Sequence, residues 1–146
     1  MSAGPVEIRL GAEIVSQPYV LDAAAAKAYG EGIESPRRRA SRRSIHDDKD
    51  AAREAGFVGP IAAGEQTLAV IAQFLAENFG MRFVRGGRIE VALTKPVLFG
   101  DRLTSYARIE RIVGLDGERA ELKIRVENQR GEAVLVGSAS VRTRDT

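Results

Sequence analysis

The sequence predicts an α+β fold in which an antiparallel sheet wraps around one long central helix. Three observations support this prediction: the stretch from Glu65 to about Phe79 is almost continuously apolar, the second half of the chain alternates polar and apolar residues, and short turn signals separate the alternating segments. With 146 residues, 44% hydrophobic and 29% charged, the chain is expected to form a single domain over residues 1–146.

The N-terminal part of the chain predicts short elements. The apolar runs Val6–Leu10 and Tyr19–Leu21 are interrupted by Gly11 and by a Ser-Gln-Pro breaker, so each is expected to form no more than a short strand. Asp22 then precedes an alanine-rich run over residues 23–29, which predicts a helix capped by the aspartate.

A long loop leads to the central helix. Residues 31–48 have no apolar period and carry Pro36, which predicts a loop of the length that compact domains usually keep for function. A short helix over 50–55 is expected to end at Gly56. The central helix then runs over 65–79 and is expected to be buried nearly all round.

The second half of the chain predicts four consecutive strands. Arg88–Thr94 and Ala120–Val126 alternate as strands with one wet face do, and Gly-containing turns near 100, 115 and 130 predict antiparallel neighbours. The last strand, Ala133–Val141, is apolar on both faces around Gly137. It is therefore expected to be central, with the long helix lying across the sheet.

Composition excludes several classes of function. The chain has no cysteine and one histidine, which rules out a disulfide framework, a thiolate zinc site and a multi-histidine metal cage, so no metal is expected. No window approaches 18 uninterrupted apolar residues, and the first residues lack a charged segment followed by an apolar core. No membrane span or signal peptide is expected, and a cytoplasmic location is predicted.

The charge is unevenly distributed. Five arginines lie within seven positions of the long loop: Arg37, Arg38, Arg39, Arg42 and Arg43. The rest of the chain has 17 lysines and arginines against 20 acidic residues, so it carries a small net negative charge. This pattern indicates a local anionic partner, such as a phosphorylated cofactor arm or an acidic carrier protein, with a solvated loop as the alternative. Nucleic acid is disfavoured because only 5% of residues are aromatic and none lies in the basic run.

Several motifs resemble one family. They are Ile45-His46-Asp47-Asp48, Ala52, Gly56-Phe57, Gly59-Pro60-Ile61-Ala62 and Gly64, followed by Lys95-Pro96-Val97, Gly100-Asp101, Asn128-Gln129 and Gly131-Glu132. Over roughly residues 15–143 the chain is similar to the MaoC-like branch of the hotdog fold, the (R)-specific enoyl-CoA hydratases and dehydratases. The resemblance implies a hotdog fold, an acyl-thioester substrate on coenzyme A or an acyl carrier, and no cofactor apart from coenzyme A within the substrate.

Hydration of an enoyl thioester needs a base for water, a proton for the α carbon and stabilisation of an enolate oxygen. His46 is the candidate acid/base, with a helix-capping loop histidine as the alternative. Ala63 and Gly64 lie where the central helix begins, so their amides are candidates for the oxyanion contact, with a simple turn as the alternative for Gly64.

The chain departs from the family motif at the catalytic aspartate. The motif places an aspartate five residues before the histidine and an asparagine three before it, but this chain has Ser41 and Arg43 there. Two interpretations stay open. Either the loop carries an insertion and Glu34 returns to face His46, or the carboxylate is lost and the chain is an altered enzyme or a non-catalytic partner subunit.

Other carboxylates have different interpretations. Asp48 is expected to cap the short helix that follows it, and Asp47 is expected to point away from His46. Glu65 opens the central helix and resembles the carboxylate of some hotdog thioesterases, although an acidic residue in a first turn also interacts favourably with the helix dipole.

The resemblance also implies an assembly. Hotdog sites generally form at dimer interfaces, so a homodimer or a hetero-oligomer with another hotdog subunit is expected, with no nucleic-acid or membrane partner. The arginines of the loop are expected to contact either the phosphates of coenzyme A or the acidic surface of an acyl carrier.

Overall fold

The computed structural model describes residues 4–22, 24, 45–46 and 48–145. Its helices are α1 (Lys49–Glu54), α2 (Gly64–Phe79) and α3 (Met81–Val84). Its strands are β1 (Glu13–Val15), β2 (Tyr19–Val20), β3 (Arg88–Leu93), β4 (Arg102–Val113), β5 (Arg119–Glu127) and β6 (Ala133–Arg142). The predicted helix over 23–29 lies almost wholly outside the described residues.

The strands form one antiparallel sheet in the order β1-β4-β5-β6-β3, and β2 pairs with the start of β4. β6 lies between β5 and β3, which confirms the prediction that it is an internal strand. β3 pairs with β6 on one side and ends the sheet in the described part of the chain. The edge strand β3 is therefore held by a single ladder, from Arg88↔Ser140 to Leu93↔Leu135.

The core lies between α2 and the inner face of the sheet. Alternate residues of β4, β5 and β6 point inward, which is the arrangement that their period of two predicts. They pack with four apolar side chains of α2 in one cluster of buried residues: Ile71, Phe74, Leu75 and Phe79. The antiparallel sheet around this helix confirms the predicted hotdog α+β fold.

α2 is amphipathic, which corrects the prediction that it is buried nearly all round. Ile71 and Leu75 are fully buried, but Leu68 keeps 38% of its surface exposed. Ala69, Gln73 and Glu77 are also exposed on the same side of the helix. The exposed face of this helix is hard to recognise in the sequence, because alanine occurs in both buried and solvent-exposed positions.

The segment Val6–Leu10 is not a strand, so that prediction is wrong. Its backbone instead meets the end of α2: the Val6 amide donates to the Asn78 carbonyl at 2.8 Å, and Arg82 Nη2 donates to the Val6 carbonyl at 2.6 Å. The edge position beside β4 is taken by β1, which was not predicted as a separate strand. None of the described helices is long and apolar enough to cross a membrane.

Candidate functional site

A cavity of about 510 Å³ lies between the start of α2 and the edge strand β3. Its polar end holds four of the residues singled out in the sequence, and its other walls are apolar. The lining residues are His46, Ala63, Gly64, Glu65, Leu68, Val91 and Leu93. The cavity therefore combines a titratable group, a helix start and a surface for a hydrocarbon chain.

His46 is fixed by the segment that precedes α2. The Ile61 amide donates to the Ile45 carbonyl at 3.1 Å, and His46 Nδ1 lies 2.7 Å from the Ile61 carbonyl oxygen. Because a carbonyl oxygen only accepts hydrogen bonds, Nδ1 must carry the proton in this contact. In the neutral ring Nε2 is then the basic nitrogen, so the contact sets both the position and the tautomer of the imidazole.

The start of α2 is held from two sides. The Ala62 amide donates to the Val97 carbonyl at 2.8 Å, and the Ala63 amide donates to Gln66 Oε1 at 3.0 Å. The Ala63 amide is thus engaged within the helix start, which revises its predicted role as an oxyanion donor. The amides of Gly64 and Glu65 belong to the first turn, where a helix supplies no acceptor of its own.

The apolar wall comes from α2 and β3. Leu68 is 38% exposed and Leu93 is 52% exposed, a large apolar surface beside a histidine. Leu93 approaches the helix closely, since a Cβ on Gly64 would lie 2.6 Å from Leu93 Cδ1. Glycine at 64 therefore lets the wall meet the helix backbone. Sequence reasoning missed Leu68, Val91 and Leu93 because the apolar run of α2 and the alternation of β3 both signal only burial in a core.

A polar cluster around Asp101 supports residues 97–98, whose backbone pairs with the segment that precedes α2. Asp101 is 4% exposed and accepts hydrogen bonds from the Leu98 amide at 3.0 Å and from Gln129 Nε2 at 2.9 Å. Leu98 in turn forms an isolated antiparallel β-bridge with Ile61, and the Ile61 carbonyl accepts the hydrogen bond from His46. Asp101 and Gln129, two of the motif residues that resemble the family, thus help to position the site through the backbone of residues 97–98.

Glu132 belongs to the same cluster. Its carboxylate pairs with Lys95, lies 2.6 Å from Arg130 Nε and accepts from Asn128 Nδ2 at 3.2 Å. The hydrogen bond from Lys95, followed by those from Arg130 and Asn128, lowers the pKa of Glu132 from 4.5 to about 2.

The structure places some predicted residues and leaves others undescribed. Asp48 accepts from the amides of Asp50 at 2.8 Å and Ala51 at 3.0 Å, which confirms it as the cap of α1. Glu34, Ser41, Asp47 and the five arginines lie outside the described residues, so their predicted roles stay predictions. Within the described part of the chain no group of three or more His, Asp or Glu side chains is arranged to hold a metal ion.

Fold and site define a hotdog domain with a histidine at the start of its central helix. Residues 41–130, more than half of the chain, match the MaoC like domain, and the chain belongs to this family. A comparison with curated proteins gave no match.

Solved structures show the same fold. The (R)-hydratase from A. caviae involved in PHA biosynthesis is 19% identical, with a TM-score of 0.73 over 94% of this chain and 98% of that one. The MaoC-like dehydratase from Rhodospirillum rubrum is 27% identical, with a TM-score of 0.69 over 94% of each chain. The ChsH1-ChsH2 complex from Mycobacterium tuberculosis is 14% identical, with a TM-score of 0.72 over 93% of this chain and 98% of that one.

Proposed function

We propose that this protein is a hydro-lyase that hydrates trans-2-enoyl thioesters or dehydrates the (R)-3-hydroxyacyl form. The observation that carries the proposal is one cavity shared by His46, the first amides of α2 and an apolar wall. Membership of the MaoC-like family supports it, as does the likeness in fold to a protein named as an (R)-hydratase.

In this proposal His46 is the principal acid/base. Hydration joins the oxygen of water to C3 of the substrate, and one proton of that water passes to a base of the protein. The electrons of the double bond move onto the thioester oxygen as an enolate, and C2 then takes up a proton. The Gly64 amide, with the Glu65 amide beside it, is the donor proposed for the enolate oxygen, and Ala63 lines the cavity next to them.

The apolar wall receives the acyl chain in the same proposal. Leu68, Val91 and Leu93 offer hydrocarbon surface next to the polar end, where the reacting carbons would lie. The basic loop at 37–43 is proposed to contact the phosphates of coenzyme A or an acidic carrier. Replacing Arg37, Arg38 and Arg39 with alanine should then raise KM in a salt-dependent way, whereas an unchanged KM would identify a solvated loop.

A second copy, or a related hotdog subunit, is the proposed partner. Leu68 and Leu93 are large apolar side chains exposed beside the cavity, and a partner would shield them from water. The replacement of the motif's aspartate by Ser41 favours a second candidate function, that of a non-catalytic subunit that binds acyl thioesters beside an active one. The position of Glu65 in the cavity favours a third, thioester hydrolysis.

One assay separates these candidates. The purified chain is mixed with a short trans-2-enoyl-CoA, and both the absorbance of the enoyl thioester and the release of free thiol are followed. Hydration supports the proposal. Thiol release without hydration would replace it with a thioesterase, and silence in both readouts would favour the binding subunit.

A variant of His46 tests its role without loosening the loop. His46→Asn keeps a side-chain N–H that can donate to the Ile61 carbonyl but removes the titratable nitrogen. His46→Ala removes both. Each variant is expected to lower kcat by about 10²- to 10⁴-fold, the usual contribution of a general acid or base. If both variants turn over at the parent rate, His46 is not the catalytic group.

A further inference from the structure

The polar end of the cavity contains a carboxylate as well as the histidine. Among the described residues that line the cavity, Glu65 is the one acidic side chain. It is the second residue of α2 and lies next to Gly64, the proposed oxyanion donor. Because Glu65 lines the cavity beside that donor, its carboxylate lies near the place where the thioester would react in the proposed function.

The chemistry of the site needs a second proton-transfer group. At the position of the motif's aspartate this chain has Ser41, whose hydroxyl is a poor base without an activating partner. His46 Nδ1 is committed to the Ile61 carbonyl at 2.7 Å, so the ring works through Nε2. Nε2 would then have to accept the proton from water and also deliver a proton to C2, unless another residue carries out one of these two transfers.

Resting on the proposed function, we infer that Glu65 is a second catalytic residue of this site, taking the place of the motif's missing aspartate. Glu65 accepts a proton from water as the water oxygen bonds to C3. The protonated His46 donates its Nε2 proton to C2 as the enolate collapses. The proton on Glu65 then returns to His46 through solvent, so that one water is added and both residues are restored.

The arrangement of the two groups fits this division of work. An ionised carboxylate only accepts hydrogen bonds, which suits the base. A doubly protonated imidazole keeps its Nδ1 donor contact with Ile61 and offers Nε2–H to the substrate, so gaining the proton requires no rearrangement of the loop. Glu65 is exposed, which gives water and solvent protons a path to the carboxylate.

The test compares three glutamates in the full chain. Glu65→Gln removes the proposed base at nearly constant size, Glu34→Gln removes the rival carboxylate of the long loop, and Glu77→Gln is a matched control on the exposed face of the same helix. For each variant kcat and KM for hydration of the enoyl-CoA are measured across pH, with a thermal unfolding curve as the check on folding.

Glu65→Gln is expected to lower kcat by about 10²- to 10⁴-fold and to flatten the acid limb of its pH profile, with KM changed by only a few-fold. Glu65→Asp, which keeps a carboxylate, is expected to recover part of the rate. Glu77→Gln, on the exposed face of the same helix and outside the cavity, should stay close to the parent.

The failures of the two proposals can be distinguished. An active parent whose Glu65→Gln variant keeps its rate and pH profile overturns the role of Glu65 alone, and loss of rate in Glu34→Gln instead would assign the base to the long loop. A parent chain that hydrates no enoyl thioester overturns the proposed function and this inference with it.

Discussion

Gly137 lies in β6 where the edge strand β3 comes unusually close. It pairs with Val91 of β3 on one side and with Ile124 of β5 on the other. A Cβ built at this position would overlap the Glu90 carbonyl oxygen and lie 2.8 Å from Val91 Cα. Both atoms belong to backbone, so a methyl group there cannot be accommodated by turning a side chain.

Gly137→Ala should therefore push β3 away from β6. Restoring an ordinary contact of about 3.4 Å with the Glu90 oxygen requires the two backbones to separate by more than about 1 Å, and overpacking of this kind costs about 1–3 kcal/mol. Weakening two hydrogen bonds of the single β3 ladder adds about 1–2 kcal/mol, and the better strand propensity of alanine returns about 0.5–1 kcal/mol. The expected net loss is about 1–4.5 kcal/mol, or about 3–14 °C in Tm at about 3 °C per kcal/mol for a chain of this size.

Urea and thermal unfolding followed by circular dichroism measure this loss. Gly59→Ala is the matched control, because nothing lies within 4 Å of its Cβ position and its φ is not in the left-handed region. The control should stay within about 1 kcal/mol of the parent, with a small gain expected from the less flexible unfolded chain. An ordinary surface substitution changes the free energy of unfolding by roughly 0.5 kcal/mol or less. If the free energy of unfolding of Gly137→Ala lies within about 0.5 kcal/mol of the parent value, the proposed clash with β3 is refuted.

Three further predictions concern the core, the polar cluster and the site. Leu75→Ala should destabilise the fold by about 2–5 kcal/mol in urea unfolding because Leu75 is fully buried, whereas Leu68→Ala, at a residue 38% exposed, should cost clearly less. Since the pKa of Glu132 is about 2 in the fold against an ordinary 4.5, its stabilising contribution is present above pH 4.5 and is lost as the pH falls towards 2. Glu132→Gln should thus make Tm less sensitive to pH between about 4.5 and 2. If Tm falls with decreasing pH as steeply in the variant as in the parent, this prediction is contradicted. Gly64→Ala should lower hydration activity and stability together, and adding Leu93→Ala should restore the stability but not the activity, because the methyl still covers the proposed oxyanion donor.

Much of the fold is encoded in local patterns. β5 alternates charged and apolar residues because one of its faces packs on α2 and the other faces solvent, so its period alone predicts a half-buried strand. Asp48 was recognisable as a helix cap from its position before Lys49–Glu54. The failure at Val6–Leu10 has a different origin: the amide of Val6 is satisfied by the end of α2, a partner more than seventy residues away that no local pattern reports.

The site was predictable in part. The position of His46 before the central helix pointed to a reactive group, and the cavity lies at that place. The engagement of the Ala63 amide by Gln66 and the exposure of Leu93 depend on side-chain packing, which a linear pattern does not encode. Glu34 lies outside the described residues, so its approach to His46 stays a prediction.

Two glycines connect the stability of the sheet to the geometry of the cavity. Gly137 allows the backbone of β3 to lie close against β6, and Gly64 allows Leu93 of β3 to lie close against the backbone of α2. β3 is therefore clamped between a neighbouring strand and the helix start that carries the proposed catalytic amides. A side chain at 137 displaces β3 and its part of the apolar wall, so it should weaken substrate binding as well as the fold. A side chain at 64 lies beside the proposed oxyanion amides at the start of α2. It should therefore lower turnover even in a variant in which β3 can move away from the helix.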